Sequence, residues 1–169
     1  MANFKLEPFD LKYANDYFKE FNEEIAKYQW PDPFESLDDA KGLLTEFVEE
    51  TEREETLVFS VLSESGEFLG STEVHGLEED CPELGVWIKQ SAQKQGLAYK
   101  ALKETLDYAF EKYGKKAFFY EADVRNEGSK KLLDKFATDY NIEAREPEKL
   151  VTDSGKKLEL QGFIMTRKN

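Results

Sequence analysis

The chain is poor in the side chains that most often build metal centres and covalent nucleophiles. It holds one cysteine, Cys81, and one histidine, His75, in 169 residues. Disulfide frameworks need paired cysteines and zinc sites need clusters of Cys and His, so both are excluded, and no metal is expected. A His-based catalytic triad has only His75 to draw on. No apolar run approaches the ~20 residues of a membrane-spanning helix. The first residues, Met1-Ala2-Asn3-Phe4-Lys5, carry no apolar signal-peptide core, so a cytoplasmic protein that engages no membrane is expected. Positive charge is also scarce: 23 Lys and Arg stand against 36 Asp and Glu, a net charge of −13. A general nucleic-acid binder needs a basic face, so nucleic acid is not an expected partner.

What is present suits a packed enzyme-sized domain. The chain is 40% hydrophobic and 14% aromatic, enough for a core in one domain spanning residues 1–169. The charge is uneven. Residues 1–90 carry 23 acidic and 7 basic side chains, whereas residues 91–135 carry 7 acidic and 10 basic ones. Solvated helix faces would account for this. So would a basic island for an anionic ligand, set in a body that draws cations.

Periodicity predicts a strand at Asn3 to Phe9, a helix from Asp10 to about Lys27, and a second helix that Ser36 opens and that runs to about Arg53. Strands follow at Thr56 to Leu62, Phe68 to Leu77 and Glu83 to Lys89. Gly96 opens a helix that Gly114 ends. A strand at Ala117 to Val124, a helix at Ser129 to about Thr138, and strands near Ile142–Val151 and Lys157–Met165 complete the chain. The order β-α-α-β-β-β-α-β-α-β-β predicts a mixed, mostly antiparallel seven-stranded sheet with about four flanking helices.

The stretch most suited to chemistry is Gln93-Lys94-Gln95-Gly96-Leu97-Ala98. It joins a strand to a helix, where first-turn N–H groups lack intrahelical partners and the helix dipole favours an anion. A pyrophosphate is the natural guest. Gly96 and Ala98 leave room for it, and Lys94 and Lys100 add positive charge. No Gly-Lys-Ser/Thr follows, so this is not an ATP or GTP P-loop, and the three glycines of a dinucleotide fingerprint are absent.

From Pro82 to Phe136, roughly a third of the chain, the sequence resembles the core of the GCN5-related N-acetyltransferases (the GNAT superfamily). The likeness is strongest to the branch of ribosomal-protein N-terminal acetyltransferases of the RimJ/RimL type. The strand Glu83–Lys89, the loop Gln93–Ala98 and the run Asn126-Glu127-Gly128-Ser129 carry it. The resemblance implies the acyl-CoA N-acyltransferase fold and acetyl-CoA as acyl donor. Pyrophosphate would lie on the N–H groups of Lys94 to Ala98, and the pantetheine arm would pair with the backbone of Val86, Trp87 and Ile88. Asn126 matches the family's cofactor-contacting asparagine, and Lys130 and Lys131 could reach the phosphates. Ser129 matches the serine proposed as proton donor to coenzyme A. Its residue type equally suits a helix N-cap. The tyrosine that many members carry seven residues after the asparagine is replaced by Leu133.

Amine attack on a thioester needs a base, an oxyanion donor and a proton for the leaving thiolate. A backbone N–H of Trp87 or Ile88 would be the oxyanion donor. Glu83 ranks first as the base, Glu73 second and Glu121 third. His75 lies two residues from Glu73 and shares its strand face. Its chemistry suits a base or an acceptor contact, and its setting equally suits a half-exposed polar residue. Tyr28, Trp30 and Phe34 suit the lining of an acceptor pocket, and Asp32 suits a cation. The expected acceptor is a small cationic amine or a peptide N-terminus, and the expected assembly a monomer or homodimer. A non-catalytic acyl-CoA sensor or interaction module on the same fold is the alternative reading.

Overall fold

The structure, a computed structural model, describes residues 3–29 and 32–169. Trp30, expected at the acceptor pocket, therefore lies outside the described residues. Eight strands form one sheet: β1 (Phe4–Pro8), β2 (Thr56–Ser63), β3 (Phe68–His75), β4 (Glu83–Ile88), β5 (Ala117–Asp123), β6 (Tyr140–Ala144), β7 (Glu148–Val151) and β8 (Lys157–Arg167). Their order is β1-β2-β3-β4-β5-β8-β6, with β7 also on β8. Every pairing is antiparallel except β4 with β5.

Alternation of side chains sends each strand's residues to two faces, and each face is covered by helices. On one face α1 (Ala14–Glu20), α2 (Glu23–Ala26) and α3 (Leu37–Glu52) bury Tyr17, Phe21, Ile25, Ala40 and Leu44 against Val58, Leu62, Phe68 and Trp87. On the other face α4 (Leu97–Tyr113) and α5 (Glu127–Phe136) bury Leu102, Leu106, Leu132, Leu133 and Phe136 against Val74, Leu84, Phe118 and Met165. Thr72 of β3 and Thr105 of α4 exchange a buried hydrogen bond of 2.7 Å, which fixes α4 over the strand.

Two expected elements are each divided, and in both cases a residue type explains the division. The helix expected from Asp10 to Lys27 becomes a single 3-10 turn at Leu11–Tyr13 followed by α1 and α2. Phe21 leaves the helical region, and Asn22 then caps α2 by accepting the N–H of Ile25 at 3.1 Å. Asn favours such a cap over a helix interior. The strand expected at Ile142–Val151 splits into β6 and β7 around Arg145-Glu146-Pro147. Proline cannot donate to a ladder, so pairing lapses there. The sheet therefore has eight strands where seven are expected.

The feature that positions the site is the parting of β4 from β5. They share one Cα pair, Glu83 with Phe119, and one flanking bond from the Phe119 N–H to the Pro82 carbonyl at 2.9 Å. Beyond it β4 stays paired with β3, from His75 opposite Glu83 to Gly70 opposite Ile88, while β5 follows β8. The edge of β4 from Leu84 to Ile88 thus has no ladder partner on the β5 side. Gly70 lets β4 lie close on β3. A Cβ there would collide with the backbone carbonyl of Trp87 and the Cα of Ile88. A Gly70→Ala change should therefore push β4 off β3 and cost about 1–3 kcal/mol of stability, read as a lower urea midpoint with an unchanged slope.

Candidate active site

The gap between β4 and β5 opens into a cleft of about 920 Å³. Val86 and Ile88 of β4, the α4 start at Gly96–Ala98, Tyr120 of β5 and the α5 start at Asn126–Ser129 wall it. Tyr28 closes its far side, its ring under the Arg125 guanidinium at 4.7 Å.

The loop between β4 and α4 is built to present backbone. Gln93 turns its side-chain amide back to the Ile88 carbonyl at 3.0 Å and ties the loop to β4. Lys94 and Gly96 both adopt positive φ, 65° and 76°. Gly96 caps α4 with no side-chain hydrogen bond, so the first-turn N–H groups of Leu97 and Ala98 keep their capacity to donate. A Cβ at Gly96 would meet no protein atom. Its glycine answers the left-handed backbone and the open space toward the cleft rather than tight protein packing. Lys94, Lys131 and Lys135 line the same cleft. Gln95 is exposed and stands outside its walls, and Lys130 turns to Glu127 at 3.4 Å.

Asn126 is the N-cap of α5, its Oδ1 accepting the Ser129 N–H at 3.1 Å. This removes the capping role from Ser129. Its hydroxyl instead meets the Tyr120 hydroxyl at 2.9 Å inside the cleft. Burial raises the Tyr120 pKa above its ordinary value, with the Ser129 bond opposing, so the phenol stays protonated and able to donate. Tyr120 is a site residue that sequence reasoning missed. Its alternation in β5 assigns it to a face but not to a serine nine residues away. Leu133, at the position of the expected tyrosine, is buried in the core.

The face of the sheet under α1 and α3 carries the acidic candidates. Glu73 is buried, and its carboxylate is a hub. Its Oε2 accepts the Tyr17 hydroxyl at 2.7 Å and the Ser71 hydroxyl at 2.8 Å, while Oε1 meets His75 Nε2 at 2.9 Å. Burial pushes its pKa up. The bond and charge of His75, with the two hydroxyls, more than offset this and hold it below the usual value. So held, Glu73 is a weak proton acceptor and a strong anchor. Glu83 is exposed at the point where β4 and β5 part and faces the same side as its cross-strand partner His75. Burial raises the Glu121 pKa, and the charges of Glu83 and Glu148 add to this.

The expected acceptor residues do not gather into one pocket. Phe34 packs its ring against Tyr17 and Phe21 at 6.2 Å each. Asp32 is engaged: its carboxylate accepts from the Thr152 hydroxyl at 3.0 Å and the Ser154 N–H at 3.1 Å, and pairs with Lys156 at 3.3 Å. Lys156 also donates to the carbonyls of Ala26 and Gln29, both at 2.7 Å. Asp32 is thus a clasp to the β7–β8 turn rather than a free carboxylate for a substrate cation. The side chain of Trp87 points away from the cleft into the aromatic cluster under α1, 4.9 Å from Tyr17. Its carbonyl turns toward β3, where a Cβ on Gly70 would meet it, and Trp87 lies opposite Ser71 there, so of the three β4 residues expected to pair with the cofactor arm only Val86 and Ile88 line the cleft. Among the described residues no cluster of three His, Cys, Asp or Glu side chains could hold a metal, and no helix is long and apolar enough to cross a membrane.

A family model described as an acetyltransferase (GNAT) domain matches residues 3–137. The chain belongs to that family. Membership brings the expected activity with it, transfer of an acetyl group from acetyl-CoA to an amine. Solved GNAT structures share the whole fold. A spermidine N-acetyltransferase from Vibrio cholerae, solved with CoA and spermine, aligns at a TM-score of 0.78 with 17% identity over 97% of this chain and 95% of its own. A ribosomal-protein-S5-alanine acetyltransferase from Vibrio fischeri aligns at 0.83 with 15% identity, over 100% and 96%. RimL, a ribosomal L7/L12 alpha-N-protein acetyltransferase solved with coenzyme A, aligns at 0.79 with 12% identity, over 99% and 96%. No curated protein sequence matches.

The residues present fit an acyl-CoA. An unpaired strand edge suits the amides of a pantetheine arm, an uncapped helix start suits a pyrophosphate, and three lysines suit further phosphate charge. Coenzyme A should raise the melting temperature of the protein, by the equivalent of about 2.7 kcal/mol at a hundredfold its Kd. Gly96→Val should abolish that shift, because a branched side chain resists positive φ and would project where the ligand lies. Differential scanning fluorimetry with coenzyme A reads both.

Proposed function

We propose that this protein transfers the acetyl group of acetyl-CoA directly to a primary amine that enters from the α1–α3 face, within one ternary complex. The observation that carries the reading is the parting of β4 and β5. It lets a thioester lie in the gap with the α4 and α5 starts on one side and an acidic face on the other.

Acetyl-CoA brings an acetyl group already activated as a thioester. The chain's own residues do the rest. The N–H groups of Lys94 to Ala98, with Lys94, Lys131 and Lys135, hold the phosphates. The free edge at Val86 and Ile88 holds the arm, and the N–H of Ile88 takes the developing oxyanion. Asn126 sets the start of α5 and so the place of Ser129. The Tyr120 hydroxyl, kept protonated by burial, donates to Ser129 Oγ and turns the serine proton toward the cofactor sulfur. Tyr120 is a positioning residue in this reading, and Ser129 is the donor to the leaving thiolate.

The acceptor arrives as an ammonium ion. Burial raises the Glu121 pKa and the charges of Glu83 and Glu148 add to it, and a cation relieves such a setting. This favours a cationic amine, on a small molecule or at a peptide N-terminus. The spermidine and ribosomal-protein acetyltransferases named above span that range. Tyr28 lines the cofactor cleft, Phe34 packs under α1 against Tyr17 and Phe21, and Asp32 holds the segment after α2 to the β7–β8 turn.

A panel of amines, from polyamines to peptides with free N-termini, assayed by thiol release from acetyl-CoA, tests the reading. Coenzyme A binding with no turnover on any amine would overturn it in favour of a non-catalytic acyl-CoA binder. Given turnover, Ser129→Ala should lower kcat about 10²-fold with little change in the KM for acetyl-CoA. Tyr120→Phe should lower kcat less, since it leaves the serine proton present but unaimed.

A further inference from the structure

Resting on the reading above, we propose that His75, oriented by the buried Glu73, is the general base that takes the acceptor's proton. The two carboxylates ranked ahead of it then have other tasks. Glu73 is a positioning residue, and Glu83 draws the ammonium ion to the mouth.

Three observations carry this. First, the pair has the build of an oriented histidine. His75 Nε2 meets Glu73 Oε1 at 2.9 Å. Glu73 is itself fixed through Oε2 by Tyr17 and Ser71 at 2.7 and 2.8 Å. A carboxylate held from three sides selects the tautomer with hydrogen on Nε2 and leaves a lone pair on Nδ1. Among the described residues no hydrogen bond occupies Nδ1. The Phe47 ring of α3, 5.2 Å from the imidazole, restrains its plane.

Second, the pair stands beside the gap. His75 lies opposite Glu83, the last β4 residue paired with β5, and Glu73 lies opposite Gly85, where the other edge of β4 has become free. At Gly85 a Cβ would lie 3.5 Å from the Glu73 Cβ and 3.6 Å from its Oε1. With only hydrogen there, no side chain of Gly85 stands between Glu73 and the free edge of β4, while Glu83 flanks His75 on the same face. The His75 side chain is 32% exposed against 10% for Glu73. The imidazole is thus the member of the pair that a substrate can touch.

Third, the field around the ring suits a base working near neutrality. The groups facing it are Glu73 on its own strand, Glu83 on β4 and Glu50 on α3, with Thr56 opposite on β2 and Phe47 above. Burial lowers the His75 pKa. The bond and charge of Glu73 and the charges of Glu50 and Glu83 more than offset this and place it above its ordinary value. A base of that strength exchanges protons with an ammonium ion more readily than an exposed carboxylate does.

The step balances. Neutral His75 takes one proton from the ammonium ion at Nδ1. The freed nitrogen lone pair forms the N–C bond to the acetyl carbon, and the C–S bond breaks with its electrons on sulfur. Ser129 gives its hydroxyl proton to the thiolate, and the surplus proton on the new amide nitrogen passes through solvent to restore the serine hydroxyl. The products are the acetylated amine, free thiol and imidazolium, which returns its proton to solvent.

Because His75 is the only histidine in the chain, it can be followed without assignment. The C2–H resonance should titrate above the ordinary value of about 6.5, and Glu73→Gln should lower its midpoint by about 1 to 3 pH units. At saturating amine, kcat should rise with pH through the wild-type midpoint, at the same pH for amines of different basicity. His75→Gln should lower kcat about 10²-fold or more and remove that limb while leaving the coenzyme A thermal shift intact. Should Glu73→Gln fail to fold, diethyl pyrocarbonate tests the wild type directly. Modification of the one histidine should inactivate in step with its extent, and bound amine should protect. Full activity after complete modification, or a His75→Gln enzyme with an unchanged limb, would overturn the proposal and return the role to Glu83. A wild type that binds coenzyme A and acetylates no amine would overturn the functional reading and this assignment with it.

Discussion

Everything in this molecule that bears on chemistry depends on two adjacent strands that cease to pair. A parallel ladder between β4 and β5 would satisfy every backbone group and leave no site. Instead the ladder stops after Glu83 and Phe119, and each strand is held apart by its other neighbour, β4 by β3 and β5 by β8. Unpaired backbone groups at a sheet edge are a standing demand for a partner. Here the demand faces a cleft that suits a narrow, amide-bearing chain. In the proposed reading the donor is recognised through the backbone, and side chains remain free for other tasks.

The same parting sorts those tasks by face. The α4–α5 side supplies helix starts, lysines and the Tyr120–Ser129 pair, all suited to an anionic donor and its leaving group. The α1–α3 side supplies Glu73, His75, Glu83 and Glu121, suited to a cation and its proton. The proposed sites of proton removal and proton delivery thus lie on opposite sides of the sheet, where the two groups cannot neutralise each other directly. The uneven charge along the sequence is the one-dimensional trace of this arrangement. The basic stretch from 91 to 135 contains α4, β5 and the start of α5, and the acidic first 90 residues contain the opposite face.

What was legible in the sequence was local. The loop Gln93–Ala98, the Asn126 run and the element order are each written within a few residues, and the family and fold follow from them. The breaks at Asn22 and Pro147 were also locally written, since a capping residue and a missing N–H are read from single letters. The rest depends on pairs far apart in the chain. Tyr17 lies 56 residues from Glu73, and Asp32 lies 120 from Thr152. Period-two alternation places Glu73 and His75 on one face but says nothing of the helix that closes over them. It was that helix which turned a candidate base into a buried anchor. Ser129 is a residue type with two good roles, and the capping one is taken by Asn126, a neighbour whose own role the sequence left to the cofactor.

The clasp of Asp32 and Lys156 has a consequence for how such a protein can change over generations. The segment after α2 and the turn before β8 are spliced by Thr152, Ser154 and Lys156 to Asp32, and by Lys156 to the Ala26 and Gln29 carbonyls. A lineage that reshapes one bank alone strands a charged or polar partner on the other. Reshaping this rim without that loss takes paired substitutions across the two segments, so it behaves as one unit although it is encoded at two distant places.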